Sequence, residues 1–260
     1  KFVLGIKKNT HADTVSKKVR VAEERLKRIE ADPIPMPPEP LRFDPDFGAA
    51  ALNGRFPLLV HGVSKRYGER VLFEDVSFSV GPKSRIVIIG ENGAGKSTLL
   101  KMLAGEDRPD TGSITLHPAV RVGYLDQERR AFDPRLSAFA AYREGLEGTD
   151  QALMSLLLRM GLFRYDDLRV EVGALSSGQQ RKLQLARLMA ARANLLILDE
   201  PTNDVSFDVL EGLEDALKNF PAPVIAVSHD RRFIERFGGE VWALRDGRLN
   251  QNVVALAETA

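Results

Sequence analysis

The chain has 260 residues, a formal net charge of +1 and an apolar fraction of 43%. This composition is typical of a globular protein with one or two domains, and no apolar run approaches the roughly 20 residues of a membrane-spanning helix. The absence of cysteine excludes disulfides and thiolate metal sites and fits a cytoplasmic protein. Because the first residue is Lys1 and not Met, we expect the chain to be part of a longer protein.

Residues 1–31 are predicted to form a basic helical arm, since they hold nine Lys or Arg against four Asp or Glu. Apolar residues recur there at alternating spacings of four and three, at Val15, Val19, Ala22, Leu26 and Ile29. This pattern is the seam of a coiled coil, which needs a partner helix to be buried. The arm is either solvated or, given its basic excess, in contact with a nucleic-acid backbone.

A proline-rich linker follows the arm, because seven of the fourteen prolines fall within residues 32–57. Proline at this density predicts an extended segment without hydrogen-bonded structure. We therefore divide the chain into an arm with linker (residues 1–57), a globular domain (residues 58–250) and a tail (residues 251–260).

The globular domain opens with two predicted strands, residues 58–63 and 71–80, on either side of a turn at Tyr67 and Gly68. Tyr67 has two interpretations. It either packs on the sheet or, about 23 residues before a glycine-rich loop, forms an aromatic platform for an adenine base.

The glycine-rich loop follows a predicted strand at residues 85–89, which is apolar from Ile86 to Ile89, and leads into a helical pattern at residues 98–103. Its sequence is Gly90-Glu91-Asn92-Gly93-Ala94-Gly95-Lys96-Ser97. In this strand–loop–helix context, a Walker A loop wraps backbone N–H groups around phosphates. Lys96 is expected to reach the β- and γ-phosphates, and the Ser97 hydroxyl to ligate Mg²⁺. The sequence therefore predicts a nucleoside triphosphate site formed by Asn92, Gly93, Ala94, Gly95, Lys96, Ser97 and Thr98.

Two further strands are predicted, at residues 113–116 and 120–125, and they lead to Gln127. On its own, a glutamine after a strand is typical of an ordinary turn. Residues 134–176 then form a predicted helical subdomain inserted between strands. Its helical periodicity is carried by Leu153, Leu156, Leu157 and Met160, with Gly161 as the expected helix end.

A second candidate phosphate-binding element is the segment Leu175-Ser176-Ser177-Gly178-Gln179-Gln180, which leads into a predicted helix over residues 181–189. Ser176 is a good N-cap, and this alone is a sufficient reason for it. The same helix N-terminus, with Gly178, also offers a hydroxyl and backbone N–H groups to an anion.

Residues 194–198, which are apolar from Leu195 to Leu198, are typical of a buried parallel strand, and Asp199 and Glu200 follow it. Carboxylates in this position lie where ligands bind in open α/β sheets. Asp199 suits Mg²⁺, and Glu200 suits a general base for an attacking water. A second buried strand, residues 223–228, leads to His229, which from a neighbouring strand end can reach a γ-phosphate.

Together these motifs resemble the ATP-binding cassette ATPases, from residue 58 to about residue 249. They occur in the family's order: Walker A at 90–97, Q-loop at Gln127, signature at 175–179, Walker B at 195–200 and the switch His229. The resemblance implies an α/β P-loop NTPase fold, with a parallel core sheet, an antiparallel β-subdomain and an inserted helical subdomain of about residues 134–176.

The resemblance also implies an ATPase that uses ATP and Mg²⁺. Tyr67 would stack on the adenine, and Glu200 would be the catalytic base, assisted by Gln127 and His229. Ser97, Gln127 and Asp199 would serve the metal. Two cassettes would close head to tail, so that Ser176, Gly178 and Gln179 complete the ATP site of the other cassette, and one copy alone would turn over slowly or not at all.

The segment Pro201-Thr202-Asn203-Asp204 is similar to that of the ABC-F proteins. This resemblance implies two cassettes in one chain, a basic helical linker between them and action on ribosomes with contact to rRNA and tRNA. Members are translation factors or antibiotic-resistance proteins, and both remain open here. The chain would be the second cassette, paired within its parent chain or as a homodimer. The alternatives are the ATPase subunit of a membrane transporter and, with less support, an ATPase of DNA repair.

Two positions depart from the family pattern. Ser177 stands where the signature has glycine, and Ser206 stands where the D-loop has aspartate. Because that aspartate helps to couple the two ATP sites, we expect the serine to alter the activity of the opposite site. Asp204 is nearby but out of register, so the role is not transferred to it.

Overall fold

The computed structural model describes residues 19–21, 23–24, 43, 56–126 and 132–252. The chain divides into two units, residues 1–40 and 41–260. In the first unit the described residues are helical and exposed to solvent. Most of the predicted arm and linker, the predicted Q-loop residue Gln127 and most of the tail lie outside the described residues. No helix in the described part of the chain is long and apolar enough to cross a membrane.

Three antiparallel strands form the smaller sheet, in the order β2-β1-β4. They are β1 (Leu58–Tyr67), β2 (Arg70–Val80) and β4 (Thr111–Leu116). The first two form the predicted hairpin, with register pairs such as Leu58–Val80 and Tyr67–Arg70 at its two ends. This sheet is the antiparallel β-subdomain predicted from the sequence.

A six-stranded sheet forms the centre of the second unit, in the order β5-β6-β7-β3-β8-β9. Its strands are β3 (Arg85–Ile89), β5 (Val122–Leu125), β6 (Leu195–Asp199), β7 (Val224–Val227), β8 (Glu240–Arg245) and β9 (Arg248–Asn250). All neighbours are parallel except β9, which pairs antiparallel with β8. The sequence did not predict β9, because a strand of three residues is too short to show hydrophobic periodicity.

Within residues 56–126 and 132–252, six helices accompany the sheets: α1 (Lys96–Ala104), α2 (Ala138–Arg143), α3 (Asp150–Arg159), α4 (Ser177–Ala190), α5 (Phe207–Asn219) and α6 (Arg231–Phe237). Helices α2 and α3, with 3₁₀ turns at Asp166–Arg169 and Val172–Ala174, lie between β5 and β6 in the chain. The helices here are short because Ser137 and Thr149 each cap a new one, and Gly161, at φ 68°, ends α3.

The two faces of the central sheet are buried in different cores. Leu195 and Ile197 of β6 belong to a core shared with α1 and the antiparallel sheet. Leu196 and Leu198 belong to a core shared with α4, α5, α6 and the helical subdomain. Because side chains alternate along a strand, an apolar residue is needed at every position of a strand covered on both faces. This explains the uninterrupted apolar runs of the sequence.

Strands β6, β7 and β3 are adjacent and parallel, so their carboxyl ends meet at one edge of the sheet. Asp199 pairs with Val227, and Val227 pairs with Ile88, so the three lie in one row across the strands. The segments that follow these strands are therefore neighbours in space, as expected for a ligand site in an open α/β sheet. The predicted fold class is confirmed.

Candidate functional site

A cleft of about 630 Å³ opens at this edge of the sheet. Such a volume is typical of small-molecule sites. The residues lining it include most of those predicted from the sequence, namely Tyr67, Asn92, Gly93, Gly95, Lys96, Ser97, Thr98, Asp199, Glu200 and His229. Ala94 instead lines a smaller neighbouring cavity of about 270 Å³. Side chains that are far apart in the sequence thus meet in one cleft.

The glycine-rich loop requires glycine at two points of close approach. A Cβ atom on Gly90 would collide with the backbone carbonyl oxygen of Leu244. Gly95 has φ 99°, and a Cβ atom there would lie 3.2 Å from the ring of Phe73. Gly95 is also the N-cap of α1, so the helix presents its first backbone N–H groups without a capping side chain. Such an N-terminus is a binding surface for anions.

Lys96 crosses the loop and is only 7% exposed. Its Nζ donates hydrogen bonds of 2.8 Å to the backbone oxygens of both Gly90 and Glu91. Burial lowers the pKa of Lys96, and the nearby carboxylates of Glu200 and Asp199 oppose this effect. An ammonium group carries three N–H donors, so this geometry leaves one to interact with a ligand.

Asp199 is fully buried, and neither of its carboxylate oxygens has a hydrogen-bond partner of good geometry within the described residues. Burial raises the pKa of Asp199, while the adjacent Ser97 hydroxyl and the Lys96 and Arg181 cations lower it. A buried carboxylate left without a donor, beside a hydroxyl, fits a hard divalent cation such as Mg²⁺. In the described part of the chain, no cluster of three or more His, Cys, Asp or Glu could hold a metal. Mg²⁺ sites completed by phosphates need only one or two protein ligands.

Glu200 is 7% exposed and has a left-handed backbone, with φ 46°. Its carboxylate faces His229, whose Nε2 lies 3.5 Å from Oε1 and whose backbone N–H lies 3.4 Å from Oε2. Burial raises the pKa of Glu200, and His229 lowers it. A carboxylate with a raised pKa is better matched to accepting a proton near neutral pH.

Tyr67 is 56% exposed at the mouth of the cleft and is fixed from one side. Its O–H donates to Oδ2 of Asp107 at 3.2 Å. Lys65 lies over the ring, 5.5 Å from its centre, and forms a 2.9 Å ion pair with Asp107. The ring is therefore held in one orientation while much of it stays exposed, as a stacking platform requires.

The signature residues Ser176, Gly178 and Gln179 do not line the cleft of their own chain. Ser176 Oγ accepts from the Gln179 N–H at 3.3 Å, and Gln179 Oε1 accepts from the Ser176 N–H at 2.9 Å, which is a capping box. The predicted N-cap is therefore correct. Since the Ser176 hydroxyl only accepts in this box, its proton is still able to bind an anion. Ser206, in the D-loop, is the exposed N-cap residue of α5.

Sequence reasoning missed two arginines at the site. Arg70 donates to the backbone oxygen of Gly93 at 2.8 Å, and no pattern in the sequence marks it. Arg181 is 7% exposed and donates hydrogen bonds to the backbone oxygens of Asp199 and Glu200. A signal for Arg181 did exist, because it precedes the buried Leu185 by four residues and so lies on the buried face of α4.

Comparisons with known proteins identify relatives of this chain. Residues 73–203 match the family model described as "ABC transporter". Tylosin resistance ATP-binding protein TlrC from Streptomyces fradiae is 38% identical over 88% of this chain and 41% of its own length. Energy-dependent translational throttle protein EttA from Escherichia coli (strain K12) is 37% identical over 86% of this chain and 39% of its own length. ATP-binding protein Uup from Caulobacter vibrioides is 38% identical over 77% and 34%, respectively.

Among solved structures, the ATP-binding cassette MJ0796, in a dimer bound to ADP and Pi, superposes with a TM-score of 0.65 at 21% identity. It covers 75% of this chain and 99% of its own. At this identity, the match supports the fold alone. The chain spans about two fifths of the length of the curated relatives TlrC and EttA. These two and Uup are ABC-F proteins, so the resemblance drawn from the sequence is confirmed, and the chain belongs to the ATP-binding cassette family.

Proposed function

We propose that this chain binds ATP with Mg²⁺ and hydrolyses it, as one cassette of an ABC-F protein that acts on the ribosome. The observation that carries the catalytic part is the pair of carboxylates at the end of β6. Asp199 is buried without a hydrogen-bond donor of good geometry beside Ser97, and Glu200 is held against His229 at the same cleft. Asp199 is suited to binding a metal cation, and Glu200 is suited to accepting a proton.

In this proposal, Lys96 and the N-terminus of α1 bind the β- and γ-phosphates, and Tyr67 stacks on the adenine. Ser97 and Asp199 hold Mg²⁺, which when bound neutralises phosphate charge. Glu200 accepts a proton from a water whose oxygen attacks the γ-phosphorus, and the bond to the ADP oxygen breaks. His229 orients Glu200 and lies where it can contact the γ-phosphate. Gln127, which lies outside the described residues, is proposed to assist the metal and the water.

The signature of a second cassette is proposed to complete the site. Support comes from the exposed Ser176 at the N-terminus of α4, which lies outside the cleft of its own chain. An anion site on the surface is accessible to a ligand held by a second copy, as a head-to-tail pair requires. The MJ0796 cassette, which shares the fold, is a dimer in its solved structure, and this is consistent with such pairing.

Action on the ribosome in the cytoplasm is proposed from the relatives and from the basic arm. One relative is named as a translational throttle protein and another as a tylosin resistance protein. The nine Lys or Arg of residues 1–31 supply charge suited to rRNA or tRNA. Both a translation factor and a resistance protein are compatible with these features.

The test is sedimentation of the natural protein that contains this chain, carrying Glu200→Gln, through a sucrose gradient of cell lysate with ATP. The variant is expected to remain in the ATP-bound state and to migrate with ribosomes. Adding Lys96→Ala removes a phosphate contact and should release it. Loss of migration with Lys96→Ala separates ATP-dependent binding from simple attraction of the basic arm to RNA.

The second candidate, favoured by the family description "ABC transporter", is the ATPase subunit of a membrane transporter. Its signature in the same gradient is migration with membranes instead of ribosomes. That outcome contradicts the ribosomal part of the proposal and leaves the ATPase part intact.

A further inference from the structure

A single guanidinium group, that of Arg181, connects three segments around the candidate site. Its Nη1 donates to the backbone oxygen of Asp126 at 2.7 Å and to Oε1 of Gln184 at 3.0 Å. Its Nη2 donates to the backbone oxygens of Asp199 at 3.1 Å and Glu200 at 2.7 Å. The end of β5, the end of β6 and helix α4 are thus joined by one side chain.

These contacts act where the backbone is held in an unfavourable conformation. Glu200, at φ 46°, is in the left-handed region, which is unfavourable for a non-glycine residue. Three hydrogen bonds within the described residues are made by the backbone of Glu200: its N–H donates to Val227, and its carbonyl accepts from the Asn203 N–H and from Arg181. Of these three, the bond from Arg181 is the one made by a side chain.

The geometry is specific to arginine. The four hydrogen bonds can use all four terminal N–H groups of the guanidinium, two on each nitrogen, directed along a fixed plane. A lysine ammonium has three N–H groups on one atom, so it can donate to at most three of these four acceptors. Burial lowers the pKa of Arg181, and the carboxylates of Asp199, Asp204, Asp126 and Glu200 oppose this effect. A cation this buried is tolerated because its terminal N–H groups are hydrogen-bonded.

The position of Arg181 on α4 links the site to the signature. Ser176 caps α4, and Arg181 follows it by five residues, which is about one and a half helical turns. Because a helix is stiff over that distance, a displacement of the signature end moves the guanidinium and therefore the Glu200 turn.

We propose that Arg181 is a positioning residue for hydrolysis, which holds the backbone of Asp199 and Glu200 in register with the signature helix. This inference rests on the proposed ATPase function. Arg181 does not line the cleft, so its loss changes the placement of the base and leaves the contacts of Lys96 and Tyr67 with ATP in place.

The test compares Arg181→Met and Arg181→Lys with Arg187→Met as the matched control. Arg187 lies on the same helix and also donates to a backbone oxygen, that of Glu144 at 2.9 Å, but it does not contact the β6 turn. Two measurements are made on the natural protein that contains this chain: steady-state ATP hydrolysis with its KM, and amide hydrogen exchange of residues 199–204 without nucleotide. Arg181→Lys provides a second variant that keeps the charge if the methionine variant fails to fold.

For Arg181→Met we expect kcat to fall about 100-fold with KM changed less than about threefold, as for a base displaced by about 1 Å. Arg181→Lys should recover less than about a tenth of the loss, because the planar fork is required. Exchange at residues 199–204 should be faster by about tenfold in both variants, through local opening of the turn. Arg187→Met should match the wild type within about twofold in each measurement.

The two possible failures are distinguishable. Failure of the wild-type chain to bind ATP contradicts the proposed function, whereas the exchange measurement needs no nucleotide and still decides whether Arg181 holds the turn. Unchanged exchange at residues 199–204 overturns the inference directly. Faster exchange with unchanged kcat also overturns it, and so does full rescue of kcat by lysine.

Discussion

The two regions of this chain that are proposed to bind phosphate differ in how far the chain itself encloses them. On the glycine-loop side, Lys96, Asp199 and Glu200 are each at most 7% exposed and lie in one cleft. On the signature side, Ser176 is exposed, and Phe207, next to the D-loop, is 85% exposed. One region is enclosed by the fold of the chain, and the other is displayed on its surface.

This difference supports the proposal that the glycine-loop side binds the chain's own ATP and that the signature side contacts ATP held by a second cassette. Buried groups that approach one another from β3, β6 and β7 are pre-organised, so binding need not order them. A surface helix N-terminus lacks the enclosing walls that exclude water and strengthen electrostatic contacts. The comparison predicts that changes on the glycine-loop side affect a single chain directly, whereas changes on the signature side affect a single chain mainly through stability.

Glu200→Gln should produce the largest effect, a loss of about 100-fold or more in ATP hydrolysis with ATP binding retained. The amide keeps the shape of the side chain but cannot accept the proton of the attacking water. Phosphate release and ATP binding should be measured side by side, with Glu211→Gln on the exposed face of α5 as the control. Normal turnover by Glu200→Gln would remove Glu200 from the role of base.

Lys96→Ala should weaken ATP binding by about 10- to 150-fold, because a charge-assisted hydrogen bond contributes about 1.5–3 kcal/mol. The measurement is an equilibrium titration with ATP and Mg²⁺. Lys101→Ala, at the far end of the same helix, is the control for a simple change of charge. Equal affinities of the Lys96→Ala variant and the wild type would contradict the phosphate contact.

Much of this site was predictable because its signals are local in the sequence. The loop at residues 90–97 and the carboxylates after β6 follow strands whose apolar runs mark them. The sequence also predicted that the strand before His229 neighbours the strand before Asp199, and β7 does pair with β6. What could not be predicted is the backbone conformation of Glu200 and the contacts that hold it. Those contacts depend on carbonyl oxygens, which every residue carries and no sequence pattern marks.

The arginine contacts illustrate the same limit at residue level. The helical position of Arg181 indicates a buried face, but only the structure shows that its acceptors come from the ends of two separate strands. The helical subdomain illustrates the same limit of sequence-based prediction for whole helices. The helical subdomain predicted over residues 134–176 contains two short helices and two 3₁₀ turns, since capping residues compete with periodicity.

Tyr67→Ala should weaken ATP binding by about 5- to 150-fold, since stacking of a base on an aromatic ring contributes about 1–3 kcal/mol. Tyr67→Phe keeps the ring and loses only the hydrogen bond to Asp107, so its affinity should stay within about threefold of the wild type. The same titration serves, with the exposed Tyr165 changed to Ala as the control. If Phe and Ala lose affinity equally, the ring itself is not the platform.

Ser176→Ala should lower the free energy of unfolding by about 1 kcal/mol, because it removes the N-cap of α4. ATP affinity of the single chain should not change, since Ser176 lies outside its cleft. Denaturant unfolding and ATP titration are measured on the same preparation, with Ser176→Asp as a variant that keeps the cap. A loss of affinity as large as that of Lys96→Ala would contradict the division between the two regions.

The smallest predicted effect is the pH dependence of the ion pair between Lys65 and Asp107, which holds the Tyr67 ring in place. The hydrogen bond from Lys65 holds the pKa of Asp107 below its ordinary value of 3.8. A carboxyl whose pKa is lower in the folded state contributes stability above its unfolded pKa and loses it as the pH falls through the folded pKa. The contribution should therefore be complete at neutral pH and disappear in the acid range below about pH 4.

Because Asp107 is partly exposed, we expect less than about 1 kcal/mol from this ion pair. Asp107→Asn should lower the unfolding free energy at neutral pH, and its difference from the wild type should shrink as the pH approaches about 3. The accompanying ATP affinity should fall only slightly, since the ring of Tyr67 remains. A difference between Asp107→Asn and the wild type that grows on acidification would show that the ion pair is not what orients the ring. The exposed face of Tyr67 would then depend on the sheet alone.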